Sequence, residues 1–170
     1  MKPINRRVAL LGLSATALSV MGTASFAAED FDDPAAKVIA VRHGEGRTTV
    51  FSRDDLASLK QTRFETMAPW IETPSVFEGP SIAELMRAIA PREEFDQVEI
   101  TALDSYFVSA KVPHLVDDGA ILAIRTDGAF MPVAEKGPAL LIFPFDDRPD
   151  LNDQSHFGLC IWQISQIDFS

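Results

Sequence analysis

The sequence predicts an α+β domain: a mixed or antiparallel, β-rich sheet system carrying two short helices. Three observations point there. Short runs rich in β-branched and aromatic residues, separated by Asp-, Gly- and Pro-bearing turns, crowd the second half of the chain. Two stretches, opening at Ser52 and Ser81, each join a helix-start residue to a run of helically spaced apolar residues. The chain beyond an N-terminal leader suits one domain around one core, with no repeat and no low-complexity tract.

The leader is the first element. Lys2, Arg6 and Arg7 form a basic start, "VALLGLSATALSVMG" is an apolar run, and "TASFA" places Ser25 and Ala27 where a cleavage site needs small residues. That succession is the pattern of a secretory signal peptide over residues 1–27, cut after Ala27. A retained anchor fits less well, because the run is roughly 15 residues and a span needs about 20. "NRRVALL" also resembles a twin-arginine export signal, without the usual Phe-Leu after the arginine pair. The expectation is an exported, periplasmic protein whose mature chain, residues 28–170, is a single domain that spans no membrane.

Export removes three of the 15 basic residues, leaving 12 against 25 acidic ones, and the formal charge moves from −10 to −13. Such a surface repels nucleic acid and anionic lipid, which are bound through Lys and Arg clusters, so nucleic acid is excluded as a partner. The single cysteine, Cys160, has no internal disulfide partner and lies in the apolar run "LCIWQI". A buried, unreactive thiol is expected there.

The domain opens with "KVIAVRHGEGRTTVF", a hairpin of two β-branched runs around His43-Gly44-Glu45-Gly46. "FSRDDLASL" is a short helix: Ser52 is its N-cap, Asp55 lies three residues on, and Asp54 and Asp55 suit the positive end of the helix dipole. "QTRFETM" is a strand ended by Pro69. "PSIAELMRAIAP" is the second helix, with Ser81 and Glu84 as a capping box, an apolar stripe of Ile82, Leu85, Met86 and Ile89, and Pro91 as the stop. The runs "VEITAL", "YFVSAKV", "AILAIRT", "ALLIFP" and "CIWQISQIDF" are strands. "PHLVDDG" has room for one helical turn, and Pro144 to Gln154 is the longest loop candidate.

Catalytic templates are absent from this pattern. There is no Gly-x-Ser-x-Gly turn and no phosphate-binding glycine loop. His43, His114 and His156 lie too far apart to show metal-ligand spacing, and the pairs Asp117-Asp118 and Asp146-Asp147 read as solvated turns. Four residues stand out instead. Trp70 follows a proline where no periodicity calls for a large aromatic, Asp104 and Tyr106 bracket a break between strands, and Lys136 precedes Gly-Pro before "ALLIF". Loop-borne aromatics and charges beside strand ends are where ligand sites tend to lie.

The ordered blocks "FSRDDLASL", "FETMAPW", "FEGPSIAELM", "TALDSYFVSAKVP", "ILAIRTDGAFMPVAEKGPALLIFPFDD" and "IWQISQI" resemble a family of small exported proteins. That family is classed with the molybdopterin-binding domain of sulfite-oxidase-type oxidoreductases. The resemblance spans roughly Val38 to Phe169 and implies the mixed α+β sulfite-oxidase-like fold. In the enzymes of this class the strand equivalent to "RFETM" leads to a cysteine whose thiolate ligates molybdenum, a role that suits a soft, deprotonated donor. Here the stretch reads "TMAPW" and holds no cysteine. Those enzymes also grip an anionic pterin with arginines and a histidine, and no motif-matched cluster of that kind is present. The block with Asp104 and Tyr106 resembles their Asp-Gly-Tyr segment, with Ser105 in place of glycine; "DGAFMP" and "KGPALLIFP" resemble their later turn and strand.

The resemblance leaves three readings. The first is a non-catalytic exported domain that binds a small molecule or a partner protein at Trp70, Asp104, Tyr106 and Lys136, in what would be the cofactor pocket. Replacing Trp70 or Lys136 is then expected to abolish binding and leave melting unchanged. The second is a molybdopterin-dependent oxidoreductase with an atypical metal site. The third is a ligand-free partner of an envelope signalling protein, its pocket filled by Trp70. The first is preferred: no cofactor is expected, although the resemblance allows molybdopterin.

Overall fold

The computed structural model describes residues 31–170, so the leader and its cleavage site lie outside the described residues. Strands β1 (Ile39–His43) and β2 (Arg47–Phe51) form the expected hairpin. Ser52 caps α1 (Arg53–Ser58): its hydroxyl accepts from the Asp55 amide at 3.0 Å, and Asp55 accepts from the Ser52 amide at 2.8 Å. Hydrogen bonds from the Lys37 ammonium and from Ser52 hold the Asp55 carboxyl down at about 2.

β3 (Gln61–Ala68) runs into β4 (Ile71–Pro80), a strand the sequence pattern does not announce because Pro74, Gly79 and Pro80 interrupt it. It forms because β3 supplies a ladder from Gln61–Pro80 to Ala68–Ile71. Pro74 falls where that ladder shifts register, so its missing N–H costs no pairing. α2 (Ile82–Ile89) starts at Ser81, whose hydroxyl accepts from the Glu84 amide at 3.1 Å. The expected capping box closes on that side only, since the Glu84 carboxylate pairs with Arg87 one turn on. Ile82 and Leu85 are wholly buried, with Met86 and Ile89 packed at the edge of the core.

β5 (Gln97–Ala102) and β6 (Phe107–Lys111) lead into α3 (Val112–Asp117), which has Pro113 in its first turn. The run "AILAIRT", expected as one strand, divides at Ile124 into β7 (Ile121–Ala123) and β8 (Arg125–Thr126), which join different sheets. β8 turns through Asp127 and Gly128, both at positive φ, into β9 (Ala129–Phe130). β10 (Leu140–Ile142), α4 (Gln154–Leu159) and β11 (Ile164–Phe169) complete the order. The described residues thus hold four short α-helices where the sequence announces two. α4 arises at the end of the expected loop because the Asp153 carboxylate accepts from the amides of Ser155 and His156, a cap that the surrounding breakers mask.

A five-stranded sheet has the order β2-β1-β11-β5-β6, with β1 and β11 parallel and the other pairs antiparallel. A four-stranded antiparallel sheet has the order β3-β4-β8-β9. The antiparallel pair β7–β10 links the two. On one side Ile124 N donates to Glu78 O at 2.9 Å, and on the other Leu141 N donates to Ile161 O at 2.9 Å. This linker is the core: Ile121 to Ile124 and Ala139 to Phe143 are wholly buried, which is why those runs read as continuously apolar. Gly79 allows the close approach, since a Cβ there would sit 1.9 Å from Leu122 O on β7.

Candidate ligand-binding site

The pair Ala68–Ile71 closes the β3–β4 hairpin around Pro69 and Trp70 alone. Proline presets φ for the first corner of such a turn, and the second corner carries Trp70. The indole is half-buried. It packs edge-on against Phe157 of α4 at 6.0 Å between ring centroids and lies tilted by 51° against Trp162 at 6.1 Å. Phe157 continues the ring contacts to Phe145 at 5.0 Å, and Phe145 to Phe143 at 5.9 Å. Trp70 is therefore tied to the core through the rings of Phe157 and Phe145.

α4 is held from below. His156 Nδ1 lies 2.8 Å from Asp153 Oδ2, and its Nε2 lies 3.2 Å from Asp118 Oδ2. Burial opposes protonation of this imidazole, but the hydrogen bonds to Asp153 and Asp118 outweigh it and raise its pKa above the ordinary value. Arg148 also reaches Asp118, at 3.6 Å.

The β5–β6 turn supplies the facing wall. Asp104 Oδ1 accepts from the Tyr106 amide at 2.9 Å, and Ser105 between them has φ of +72°, the left-handed region that favours glycine. Gln163 joins this turn to its neighbours. Its carbonyl accepts from Leu103 N at 2.9 Å, its amide donates to Lys136 O at 3.1 Å, and its side chain donates to Val133 O at 2.8 Å. Lys136 itself has φ of +76°, directly before Gly137, where a Cβ would meet Met131 O at 1.9 Å.

These three segments enclose a cleft of about 370 Å³ walled by Trp70, Asp104, Tyr106, Phe157, Cys160 and Trp162. Trp70 is also a wall of a second cleft of about 490 Å³, which Glu72, Phe130, Glu135 and Lys136 line. Of the four residues singled out in the sequence, the structure brings Trp70, Asp104 and Tyr106 into one cleft. Lys136 lines the other, on the far side of the indole, and reaches the first through its backbone hydrogen bond to Gln163. Phe157, Trp162 and Gln163 escaped the sequence reading. The expected strand from Cys160 begins only at Ile164, which leaves Trp162 outside the ladder and 41% exposed. A tryptophan on the outward phase of an apolar run was the signal for it.

Asp104 is the sole charged side chain among the described residues lining the smaller cleft. Trp70 Nε1 is buried and meets no acceptor among the described residues. A desolvated donor without an acceptor costs about 1–3 kcal/mol. Burial pushes the Cys160 thiol up to about 12, so it is unreactive, as its apolar run implies.

The residues present do not fit a molybdenum-bound pterin. Thr66, at the end of β3, is wholly buried and its hydroxyl accepts from Asp146 N at 3.2 Å, while Met67 and Ala68 supply no thiolate. Among the described residues no three His, Cys, Asp or Glu side chains gather to hold a metal ion. An anionic cofactor needs cationic walls, yet neither cleft is lined by Arg or His, and Lys136 stands beside Glu72 and Glu135. Several arginines are engaged elsewhere: Arg53 donates to Met131 O at 2.8 Å, Arg125 pairs with Glu78 at 2.9 Å, and Arg148 pairs with Asp150 at 2.7 Å.

Among the described residues no helix is long and apolar enough to cross a membrane. No protein-family model matches the chain, and no curated protein sequence matches it. Among solved structures it is similar to the sulfane dehydrogenase SoxCD from Paracoccus pantotrophus, at 14% identity and a TM-score of 0.57. The match covers 77% of this chain and 37% of that one, so this chain spans little more than a third of the SoxCD chain. The likeness is one of fold: a β-rich α+β domain of mixed and antiparallel sheets, consistent with the sulfite-oxidase-like fold that the sequence blocks imply.

Proposed function

We propose that this chain is an exported, periplasmic binding domain on a sulfite-oxidase-like scaffold, non-catalytic, which holds a small molecule between Trp70, Asp104 and Tyr106. One observation carries this. Three separate segments, the β3–β4 turn, the β5–β6 turn and the stretch from α4 to β11, deliver aromatic rings and one carboxylate to a single cleft. Its volume, about 370 Å³, falls in the range of small-molecule sites, which are mostly apolar with a few placed polar groups. Tyr106 and Trp162 stay 57% and 41% exposed at its rim, aromatic surface that folding alone leaves uncovered.

The strand end Thr66-Met67-Ala68 supports the non-catalytic part, since a thiolate anchor for a metal has no counterpart there. Likeness of fold to an oxidoreductase favours the alternative, an enzyme with an atypical metal site, but fold does not fix function. Native mass spectrometry with molybdenum analysis separates the two, on protein exported by its own leader and purified gently. A small adduct without molybdenum, lost in Tyr106→Ala, is expected. An adduct of several hundred daltons carrying molybdenum would overturn the proposal.

A further inference from the structure

We infer that the molecule taken by this cleft is a small organic cation, a fully substituted ammonium, caged by Trp70, Trp162 and Tyr106 with Asp104 as its counter-charge. This rests on the reading of the cleft as a ligand site and names the class of ligand.

Charge is the first reason. Asp104 is the sole charged side chain among the described lining residues, so an anion would enter without a counter-charge. A neutral ligand without an O–H or N–H donor would strip water from the carboxylate and return nothing. One oxygen of Asp104 is occupied by the Tyr106 amide, which fixes the carboxylate at the rim. The net negative charge of the chain adds a long-range attraction for cations.

Ring geometry is the second reason. Aromatic faces carry negative quadrupole potential and attract a cation held within about 6 Å. Trp70 is inclined by 51° to Trp162 and by 89° to Phe157. Neither contact of the Trp70 indole is a stacked pair, so these rings do not present two parallel plates to a flat ligand.

The degree of substitution follows from hydrogen bonding. A primary ammonium carries three N–H donors that each want an acceptor. Beyond Asp104, the Gln163 amide and the Tyr106 hydroxyl, the side chains of the walls are Ala102, Phe157, Cys160, Ile161 and the two indoles, which offer no strong acceptor. A nitrogen bearing only alkyl groups needs no acceptor and gains from apolar walls.

The test is calorimetric titration of the full exported chain with choline and with its neutral isostere, in which a quaternary carbon replaces the nitrogen. Choline should bind at least tenfold more tightly, a difference of about 1.4 kcal/mol. Asp104→Asn keeps the oxygen that accepts from Tyr106, so it should melt as the parent does. It should lose about tenfold in choline affinity and nothing for the isostere. Trp162→Ala, at a 41% exposed position, should weaken choline further. Equal binding of choline and isostere would overturn the cation while leaving the cleft a ligand site. Choline binding that survives both substitutions would place the cation elsewhere on the acidic surface and overturn the inference. No heat with either probe up to about 10 mM overturns it as well; the cleft as a ligand site then stands or falls on the native mass.

Discussion

Replacing Trp70 by alanine tests the packing on which the cleft depends. Removing a large buried aromatic costs about 3–5 kcal/mol, and a half-buried indole loses somewhat less. Its edge contact with Phe157 and tilted contact with Trp162 each account for about 0.5–1.5 kcal/mol of that loss. Against this, the substitution deletes a buried Nε1–H that lacks an acceptor among the described residues, returning about 1–3 kcal/mol. The net expectation for Trp70→Ala is a loss of about 2 kcal/mol, or a Tm lower by roughly 5–8 °C for a domain of this size. Trp70→Phe keeps a ring against Phe157 and drops the unpaired donor, so its stability should lie within about 1 kcal/mol of the parent. Urea unfolding followed by far-UV circular dichroism measures both without depending on indole fluorescence. If Trp70→Ala costs under about 0.5 kcal/mol, the indole is a free rim residue and the packing described is wrong. If Trp70→Phe costs as much as Trp70→Ala, the Nε1–H has a partner and the account of the vacant donor fails. The ring contacts thus lead to a lowered Tm for Trp70→Ala, where the sequence alone led to an expectation of unchanged melting.

Gly79→Ala drives a Cβ to 1.9 Å from Leu122 O, a strand carbonyl with no flexible end to yield, so a loss of about 3 kcal/mol or more is expected in the same unfolding assay; parent-like stability would mean β4 does not press on β7. Ser105→Gly relieves a left-handed serine strained by about 1–2 kcal/mol and costs about 0.5–1 kcal/mol of extra unfolded-state entropy, for a gain of up to about 1.5 kcal/mol; a loss would show that the turn is not built this way. His156 sets a pH dependence. Its folded pKa is raised, so its contribution is fully present below the unfolded value of about 6.5 and fades as pH rises through the folded value above it. Tm should therefore fall over that window in the parent and fall less in His156→Gln, and identical slopes would remove the Asp153–His156–Asp118 bridge from the account.

How much was legible from sequence depends on the range of the forces involved. The β1–β2 hairpin, the caps at Ser52 and Ser81, the stripe Ile82–Leu85 and the Asp127-Gly128 turn were readable because each is decided within a few residues. The fold class follows from them, because a run of short strands with few helices leaves few ways to bury its apolar faces. Trp70, Asp104 and Tyr106 stood out for a related reason: an aromatic or a charge that no local period explains is visible as such.

Tertiary structure decided the rest. β4 exists because β3 pairs with it, against its own prolines and glycine. "AILAIRT" divides at Ile124 because each half finds a different partner, β10 or β9. β1 lies parallel to β11 across almost the whole domain, a pairing for which no local signal exists. The cleft belongs with these. Phe157 and Trp162 come from near the C-terminus to meet a turn at Pro69 and Trp70, and Lys136 ends on the other side of the indole. The sequence by itself determined the β1–β2 hairpin, the capped starts of α1 and α2 and the Asp127-Gly128 turn, because those choices rest on backbone sterics and short-range hydrogen bonds. Which side chains share a cleft was settled only when distant strands paired and buried their common core, since that free energy is a property of the assembled chain.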